Sequence, residues 1–225
     1  MSSFLKTTLL SMQWLRIDNM NNGYSEILEA ISSEDPTPGG GSVAALVLAH
    51  SHSLAIMVSK LTIRSEKWSD GHNSASRTIE NSQIGITKSL DLANDDAKAF
   101  DSVMDAYRLP KSTEKELKDR KTAIRDATLH AAEVPLETAE EASKLLQSIK
   151  AISGNCNANA LTDLASSAEL AKASLSMAAY NVRINLDSLD EEISLSINNR
   201  LAEVIDEADS TFPKILLDVS ERLGW

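Results

Sequence analysis

The chain has 225 residues, 42% of them hydrophobic, and a formal net charge of −11 at pH 7. This length can bury a sizeable core as one large domain or two small ones, and the acidic charge argues against nucleic acid or an anionic membrane as the main partner. The single cysteine, Cys156, excludes an internal disulfide and a cysteine-based zinc site. It indicates a reducing, cytoplasmic location. No apolar run reaches the roughly 18 residues that a membrane span needs.

The start of the chain differs in character from the rest. Residues 1–22 are predicted to be an N-terminal extension, because Lys6 and Gln13 interrupt its apolar run and no small-residue cleavage site follows. Residues 23–225 are expected to form a single helical domain. Apolar residues at positions 24, 27, 28 and 31 predict a short amphipathic helix at its beginning.

A glycine-rich turn, PTPGGGSVAA from Pro36, leads into the first long helix. Gly39, Gly40 and Gly41 allow unusual backbone angles and close approaches, and Ser42 is placed to cap a helix that extends to Ile63. Free N–H groups at such a helix start form an anion site, although the triplet alone favours an ordinary loop with a tight helix start. The absence of a following Gly-Lys-Ser/Thr excludes a nucleotide P-loop.

The remaining chain is predicted to be helical, with no alternation typical of strands. Pro135 is expected to break or kink a helix, since proline cannot donate to the helical ladder. Ser112 or Thr113 can cap the start of the helix that leads to Pro135. The pattern predicts an all-α bundle of about five to six long helices, in which the first is central or at an interface because it is apolar nearly all round. The further stretches are 73–107, 113–133, 137–152, 161–186 and 191–223.

Asp96 is the candidate acid/base residue. With Phe100 as the centre of the apolar stripe of its helix, Asp96 lies about 40° from that centre, among apolar neighbours. Burial raises the pKa of a carboxyl group, which suits proton transfer near neutral pH. A structural ion pair or a helix-end hydrogen bond remains the alternative.

Three further polar groups stand out. Asn181 and Asn185 share a helix face, which favours hydrogen bonds to a neighbouring helix over a ligand. The loop Asn157-Ala158-Asn159 precedes Thr162 and Asp163, for which helix capping is favoured over ligand binding. His50 and His52 lie about 160° apart on their helix, so they cannot share one metal ion and are interpreted as separate core or interface histidines.

Several segments in order resemble the formiminotransferase-cyclodeaminase family, which includes free-standing methenyltetrahydrofolate cyclohydrolases. The resemblance covers roughly residues 24–223. Its markers are PTPGGGSVAA, MVSKLTI, DDAKAF, AYRLPK, DRKTA, VPL, the Asn157 to Asp163 loop and the Asn181 to Asn185 run.

The resemblance implies an all-α homodimer that binds a folate between helices, with Asp96 as the acid/base residue and no metal or redox cofactor. Basic groups such as Lys60, Arg64, Lys67, Lys111 and Arg120 are candidates for the carboxylates of folate. A separate formiminotransferase partner fits the same family. The expected substrate-binding residues are Gly39, Gly40, Gly41, Ser42, Lys60, Lys67, Asn157, Asp163, Asn181 and Asn185.

The chain departs from the family pattern at three places. Arg64-Ser65-Glu66-Lys67 replaces a glycine followed by basic residues, Cys156 replaces the glycine before the loop asparagine, and His50 and His52 replace small or apolar residues. The first hypothesis for function is formiminotetrahydrofolate cyclodeaminase. The alternatives are methenyltetrahydrofolate cyclohydrolase and a helical dimerisation module without activity.

Overall fold

The computed structural model describes residue 21 and residues 23–225. The extension predicted for residues 1–22 therefore lies outside the described residues, apart from Asn21. The chain divides into a unit that ends at Pro38 and a unit from Gly39 to Trp225, and a single domain over 23–225 stays a prediction. The first unit contains the predicted short helix α1, Tyr24–Ile31, which follows Gly23 in the left-handed conformation at φ 75°.

The second unit contains five long helices, and the residues described contain no strand. The all-α prediction is confirmed. Short 3-10 turns at Glu66–Gly71 and Ala158–Ala160 join two of the pairs. The helices are α2 Gly40–Ile63, α3 His72–Arg108, α4 Glu114–Ser153, α5 Leu161–Leu186 and α6 Glu191–Leu223.

Helices α2 to α5 form an antiparallel four-helix bundle. Helix α2 packs between α3 and α5, α4 closes the bundle on the opposite side, and α6 packs against α4 and α5. Short connections place each helix antiparallel to the next, as expected for a bundle. The large core side chains are fully buried, among them Leu48, Leu136, Leu146 and Leu164.

Helix α2 is largely buried, and its first turns are buried most completely. By length and composition it is the one described helix that could also cross a membrane, but 61% of its apolar window is buried inside the protein. Ala44, Ala45 and Ala55 have no exposed surface, so neighbouring helices approach it closely. The sequence predicted that α2 is central or at an interface, and the structure buries the side of α2 that faces the bundle.

Helix α4 is continuous through Pro135, so the predicted break there is wrong. A proline has no N–H to donate to the carbonyl four residues earlier, which in α4 belongs to Ala131. Asn185 of α5 fills this vacancy, because its Nδ2 donates to the Ala131 carbonyl oxygen at 2.9 Å. A side chain from the neighbouring helix therefore completes the ladder that proline interrupts.

The buried face of α3 is not centred on Phe100 as predicted, since the Phe100 side chain is 38% exposed. Small residues form the buried line instead, because they allow α3 to lie close to α2 and α4. Asp96 continues this line at helical spacing, between Leu92 and Ala99. The buried residues of α3 are Ala75, Thr78, Ser82, Gly85, Ser89, Leu92, Ala93, Ala99 and Ala106.

The predicted helix caps have mixed outcomes. Thr113 begins α4 with a capping box, in which its side chain accepts from the Glu116 backbone N–H and Glu116 reaches back, as predicted. Thr162 and Asp163 lie inside α5 and do not cap it, so that prediction is wrong. Asn157 caps the 3-10 turn Ala158–Ala160 through its side chain. Helix α5 follows this turn directly, so Thr162 is already inside the helix.

Candidate active site

The glycine triplet begins α2 earlier than predicted. Gly39 is the N-cap residue, and the helix starts at Gly40. Ser42 lies inside the first turn with 1% of its surface exposed, so its predicted role as the cap is wrong. None of the three glycines has a positive φ, so the triplet serves close approach rather than unusual backbone angles.

Gly41 is the position where that close approach matters. A Cβ atom built on Gly41 would lie 2.6 Å from the Cγ of Asp96 and closer still to Oδ1. No side chain fits there unless the carboxylate moves. Asp96 of α3 therefore reaches the first turn of α2 only because residue 41 is glycine.

The Asp96 carboxylate occupies the anion site that the sequence predicted at this helix start. The Ser42 hydroxyl donates to its Oδ2 at 2.9 Å, and the Ser42 backbone N–H also donates to the carboxylate. Burial raises the pKa of Asp96, while the two bonds from Ser42 lower it. A half-buried carboxyl group whose pKa lies above its usual value is a candidate for proton transfer.

Two amides of α5 lie at the same end of the bundle. A Cβ built on Gly40 would be 3.6 Å from Nδ2 of Asn181, so Asn181 adjoins the glycine turn. Nδ2 of Asn181 donates to the Met177 carbonyl oxygen at 2.9 Å, and Nδ2 of Asn185 donates to Ala131 and to the Asn181 carbonyl oxygen. The helix–helix bond predicted for this pair is confirmed for Asn185, and the amide oxygens are the atoms left to accept from a ligand.

The other predicted binding residues lie at the opposite end of α2. The backbone N–H of Asn157 donates to Thr62 Oγ1 at 3.0 Å, and its Nδ2 donates to the Leu61 carbonyl oxygen at 3.2 Å. Lys60 is exposed in the last turn of α2. From Gly41 to Lys60 the rise of 1.5 Å per residue gives a separation of about 30 Å along the helix. Within one chain, Asp96 and this second group do not form one site.

Lys67 and Asp163 also belong to the second end. The Lys67 ammonium lies 4.9 Å from the centroid of the Trp68 ring, in the turn that follows α2. Asp163 is in the first turn of α5, about 27 Å along that helix from Asn181. The predicted binding residues thus separate into a group around Asp96 and a group around Asn157.

Cys156, one of the departures from the family pattern, is buried beside Arg222. The guanidinium donates to Sγ at 3.3 Å and to the carbonyl oxygens of Ser153 and Cys156. Burial raises the pKa of the Cys156 thiol, against the lowering effect of Arg222. Through this contact with Arg222, the Cys156 side chain helps to hold the end of α6 against the loop before α5. Its role is therefore structural.

A cleft of about 560 Å³ between the start of α4 and the turn after α5 was not predicted as a site. Arg120, Lys121 and Arg125 line it together with Asp190. Arg120 also donates to the Tyr107 carbonyl oxygen at 3.0 Å. Arg120 was a candidate for binding carboxylates, and the basic run DRKTAIR was the signal that could have found the other two.

Comparisons with known proteins bear on the family and the fold of this chain. A sequence profile of the formiminotransferase-cyclodeaminase family matches residues 23–203, most of the described chain. The chain belongs to the formiminotransferase-cyclodeaminase family. The resemblance noted from the sequence is confirmed, and so is the fold it implied.

Members of the formiminotransferase-cyclodeaminase family with different names match this chain. It is 33% identical over 172 residues to methenyltetrahydrofolate cyclohydrolase of Methylorubrum extorquens, covering 76% of this chain and 82% of that protein. It is 29% identical to formimidoyltransferase-cyclodeaminase of Mus musculus, covering 85% of this chain but 36% of that longer protein. The crystal structure of formiminotetrahydrofolate cyclodeaminase from Thermotoga maritima superposes with a TM-score of 0.80, at 27% identity, over 89% of this chain and 96% of that chain. These relatives are enzymes by name.

Proposed function

We propose that this protein is a folate one-carbon enzyme that acts at the carbon bridging N5 and N10 of tetrahydrofolate, with cyclodeamination of 5-formiminotetrahydrofolate as its reaction. The observation that carries the proposal is the Asp96 carboxylate, held by Gly41 and Ser42 at the start of α2. Membership of the formiminotransferase-cyclodeaminase family supports the substrate class.

The chemistry needs one group that takes a proton and returns it. The formimino group reacts in its protonated form, –CH=NH2⁺. N10 forms a bond to its carbon, the C=N double bond becomes a single bond, and N10 loses its proton to the Asp96 carboxylate. The bond from that carbon to the former imino nitrogen then breaks, and the nitrogen leaves as ammonia with the proton that Asp96 gives back. The raised pKa of Asp96 suits this exchange, because burial makes the carboxylate a better proton acceptor than an exposed one. The reaction as proposed needs no metal or redox cofactor.

Hydrolysis of 5,10-methenyltetrahydrofolate is the second candidate. The 33% identity to a cyclohydrolase of similar length favours it. In this reaction water attacks the bridging carbon and gives one proton to Asp96. The bond from that carbon to N5 then breaks, N5 takes the proton back from Asp96, and the new hydroxyl loses its proton to solvent, which leaves a formyl group on N10. The same carboxylate in the same place serves both reactions.

Near-UV absorbance of the methenyl compound separates the candidates. Appearance of that absorbance from 5-formiminotetrahydrofolate, with release of ammonia, supports cyclodeamination. Its loss from 5,10-methenyltetrahydrofolate faster than in buffer supports hydrolysis. Silence in both assays contradicts the proposal and favours a dimerisation module.

We further propose that the active form is a homodimer in which both ends of α2 contribute to one site. The outward face of α2 carries half-exposed or exposed apolar residues, which the other helices of the Gly39–Trp225 unit leave uncovered. They are Val43, Leu46, Val47, Leu54 and Met57. A symmetric contact places the middle of a patch on the two-fold axis, and the middle of this patch is His50.

Such an antiparallel contact joins the two groups of predicted site residues. With His50 on the axis, Lys60 of the partner subunit lies opposite Gly40, next to Asp96. Asn157 of the partner subunit lies there as well, because Asn157 contacts the end of α2 that carries Lys60. The proposed dimer therefore supplies basic groups for the folate carboxylates where one chain alone does not.

Complementation tests the shared site. Asp96→Asn and Lys60→Ala variants are purified separately, dissociated and mixed in equal amounts, and turnover is measured below saturation. A shared site predicts recovery to about a quarter of the wild-type rate, because half the dimers are mixed and each has one intact site. Recovery no greater than the mean of the two variants contradicts the shared site and directs attention to Arg120.

The source of the substrate is the last part of the proposal. The mouse relative is named as formimidoyltransferase and cyclodeaminase together, and this chain matches 36% of it. We propose that a separate formiminotransferase supplies 5-formiminotetrahydrofolate. Co-purification of a transferase with the tagged chain tests this part.

A further inference from the structure

A second cavity lies between α2, α3 and α4, away from Asp96. It has a volume of about 330 Å³ and is lined by His52, Ser82, Glu141 and Lys144, among others. His52 is ten residues beyond Ser42, so the cavity is about 15 Å along α2 from the proposed active site. Nothing in the proposed reaction uses it.

His52 is buried in the wall of this cavity with no hydrogen bond to either ring nitrogen. Its side chain is 4% exposed, and Nδ1 and Nε2 both lack a partner. Gly85 of α3 makes room for the ring, because a Cβ there would lie 2.7 Å from Nδ1 and closer to Nε2. Buried polar groups in proteins are almost always hydrogen-bonded, so this ring lacks partners that a bound molecule would provide.

Ser82 repeats the pattern one turn before Gly85. Its side chain has no exposed surface, and its Oγ has no partner. Serine hydroxyls inside helices commonly donate to the carbonyl four residues earlier, as Ser89 does to Gly85 at 2.7 Å. The Ser82 hydroxyl makes no such bond, so two neighbouring polar groups in one cavity wall are unsatisfied.

The charged groups around the cavity are already paired. Glu141 accepts from Lys144 at 2.7 Å and from Lys88 at 3.1 Å. Burial lowers the pKa of His52 to about 4, against the raising effect of Glu141, so the ring is neutral at neutral pH. A neutral imidazole offers one N–H donor and one nitrogen acceptor.

We propose that this cavity binds a small uncharged molecule that presents both a hydrogen-bond donor and an acceptor, such as a carboxamide. His52 and Ser82 supply the matching groups. A charged ligand finds no free opposite charge, since Lys88 and Lys144 are paired with Glu137 and Glu141. The volume is at the small end of the range for ligand sites, and no group of three or more metal-binding side chains exists among the described residues.

Nicotinamide and nicotinate are matched probes, because they share a ring and differ in charge. Protein labelled with ¹³C at histidine gives ring C–H signals from His52 and from His50, His72 and His130, which serve as internal controls. Nicotinamide is expected to shift the His52 signal with saturation and leave the other three in place. Nicotinate is expected to shift none of them.

Two variants check the site. His52→Leu and Ser82→Ala should each weaken nicotinamide binding by about tenfold or more, as judged by calorimetry, because each removes a hydrogen-bonding group. Both should keep wild-type turnover in the folate assay, which shows that the fold survives. No saturable shift of His52, or equal binding by wild type and both variants, overturns the proposal and leaves a cavity that holds only water.

Discussion

Asp96 and His52 are two polar side chains that enter the same helix bundle by the same means. Each lies against a glycine of the facing helix: Asp96 of α3 against Gly41 of α2, and His52 of α2 against Gly85 of α3. In both places a Cβ would overlap the polar group. Glycine thus admits a side chain that the close packing of α2 and α3 would exclude.

The two sites differ in what meets the polar group. Ser42 gives the Asp96 carboxylate two donors, whereas neither nitrogen of His52 has a partner. Burial opposes charge at both, and so raises the pKa of the acid and lowers the pKa of the base. The Asp96 carboxylate is thus positioned by hydrogen bonds within the protein, whereas the His52 ring can still form hydrogen bonds to a bound molecule.

Replacing Asp96 is the strongest test of this difference. Asp96→Asn should lower turnover by about 10² to 10⁴-fold, the usual contribution of a general acid/base. The fold should remain intact and its thermal midpoint equal or higher, because the variant removes a desolvated carboxylate. Asp95→Asn is the control, since Asp95 pairs with Lys98 on the surface. A wild-type rate in Asp96→Asn would remove Asp96 from the mechanism.

The neutral His52 ring predicts a pH dependence of stability. Its pKa is about 4 in the folded protein against 6.5 in an exposed histidine. As the pH falls from 6.5 to 4, the unfolded chain takes up a proton that the folded chain refuses. The free energy of unfolding should therefore fall by about 3 kcal/mol across this window. Denaturation of wild type and His52→Leu at several pH values measures the difference, and parallel curves would contradict it.

Neighbouring glycines offer a matched pair at the Asp96 site. Gly41→Ala places a Cβ where the carboxylate lies and should displace it, at a cost in turnover of about 10²-fold. Gly40→Ala meets its nearest neighbour, Nδ2 of Asn181, at an ordinary 3.6 Å and should stay near the wild-type rate. Equal rates for the two variants would show that close approach at Gly41 is not what places Asp96.

Asn185 and Pro135 test whether the polar groups near Asp96 are satisfied as the structure indicates. Asn185→Ala should lower the free energy of unfolding by about 1–3 kcal/mol, because it leaves the Ala131 carbonyl without a donor. Adding Pro135→Ala returns a backbone N–H to that carbonyl and should recover most of the loss. Chemical denaturation of the two single variants and the double variant measures the coupling, and simple additivity would contradict it.

The smallest expected effect concerns Ser42. Ser42→Ala removes the hydroxyl donor to Oδ2 of Asp96, so the pKa of Asp96 should rise further. The acidic limb of the pH–rate profile should move to higher pH by about one unit, with turnover at neutral pH within about tenfold of wild type. An unchanged profile would show that the hydroxyl does not tune the carboxylate.

The sequence by itself determined the helices and the family. Apolar spacing and capping residues placed the helix ends within a few residues, as at Thr113 and Ile63, because these signals are local. The order of motifs pointed to the formiminotransferase-cyclodeaminase family, and the spacing around Asp96 put this carboxylate on the buried side of α3. These inferences depend only on residues that are close to one another in the sequence and on the order of the motifs.

Tertiary structure decided what depends on a partner helix. Pro135 stays inside α4 because Asn185 of another helix satisfies the Ala131 carbonyl, and no local rule contains that donor. Ser42 bonds Asp96 instead of capping α2, and the buried stripe of α3 follows small residues because α2 lies so close. The structure also places Asp96 against the start of α2, a helix length away from Lys60, because the packing of α3 on α2 decides which end of α2 Asp96 meets.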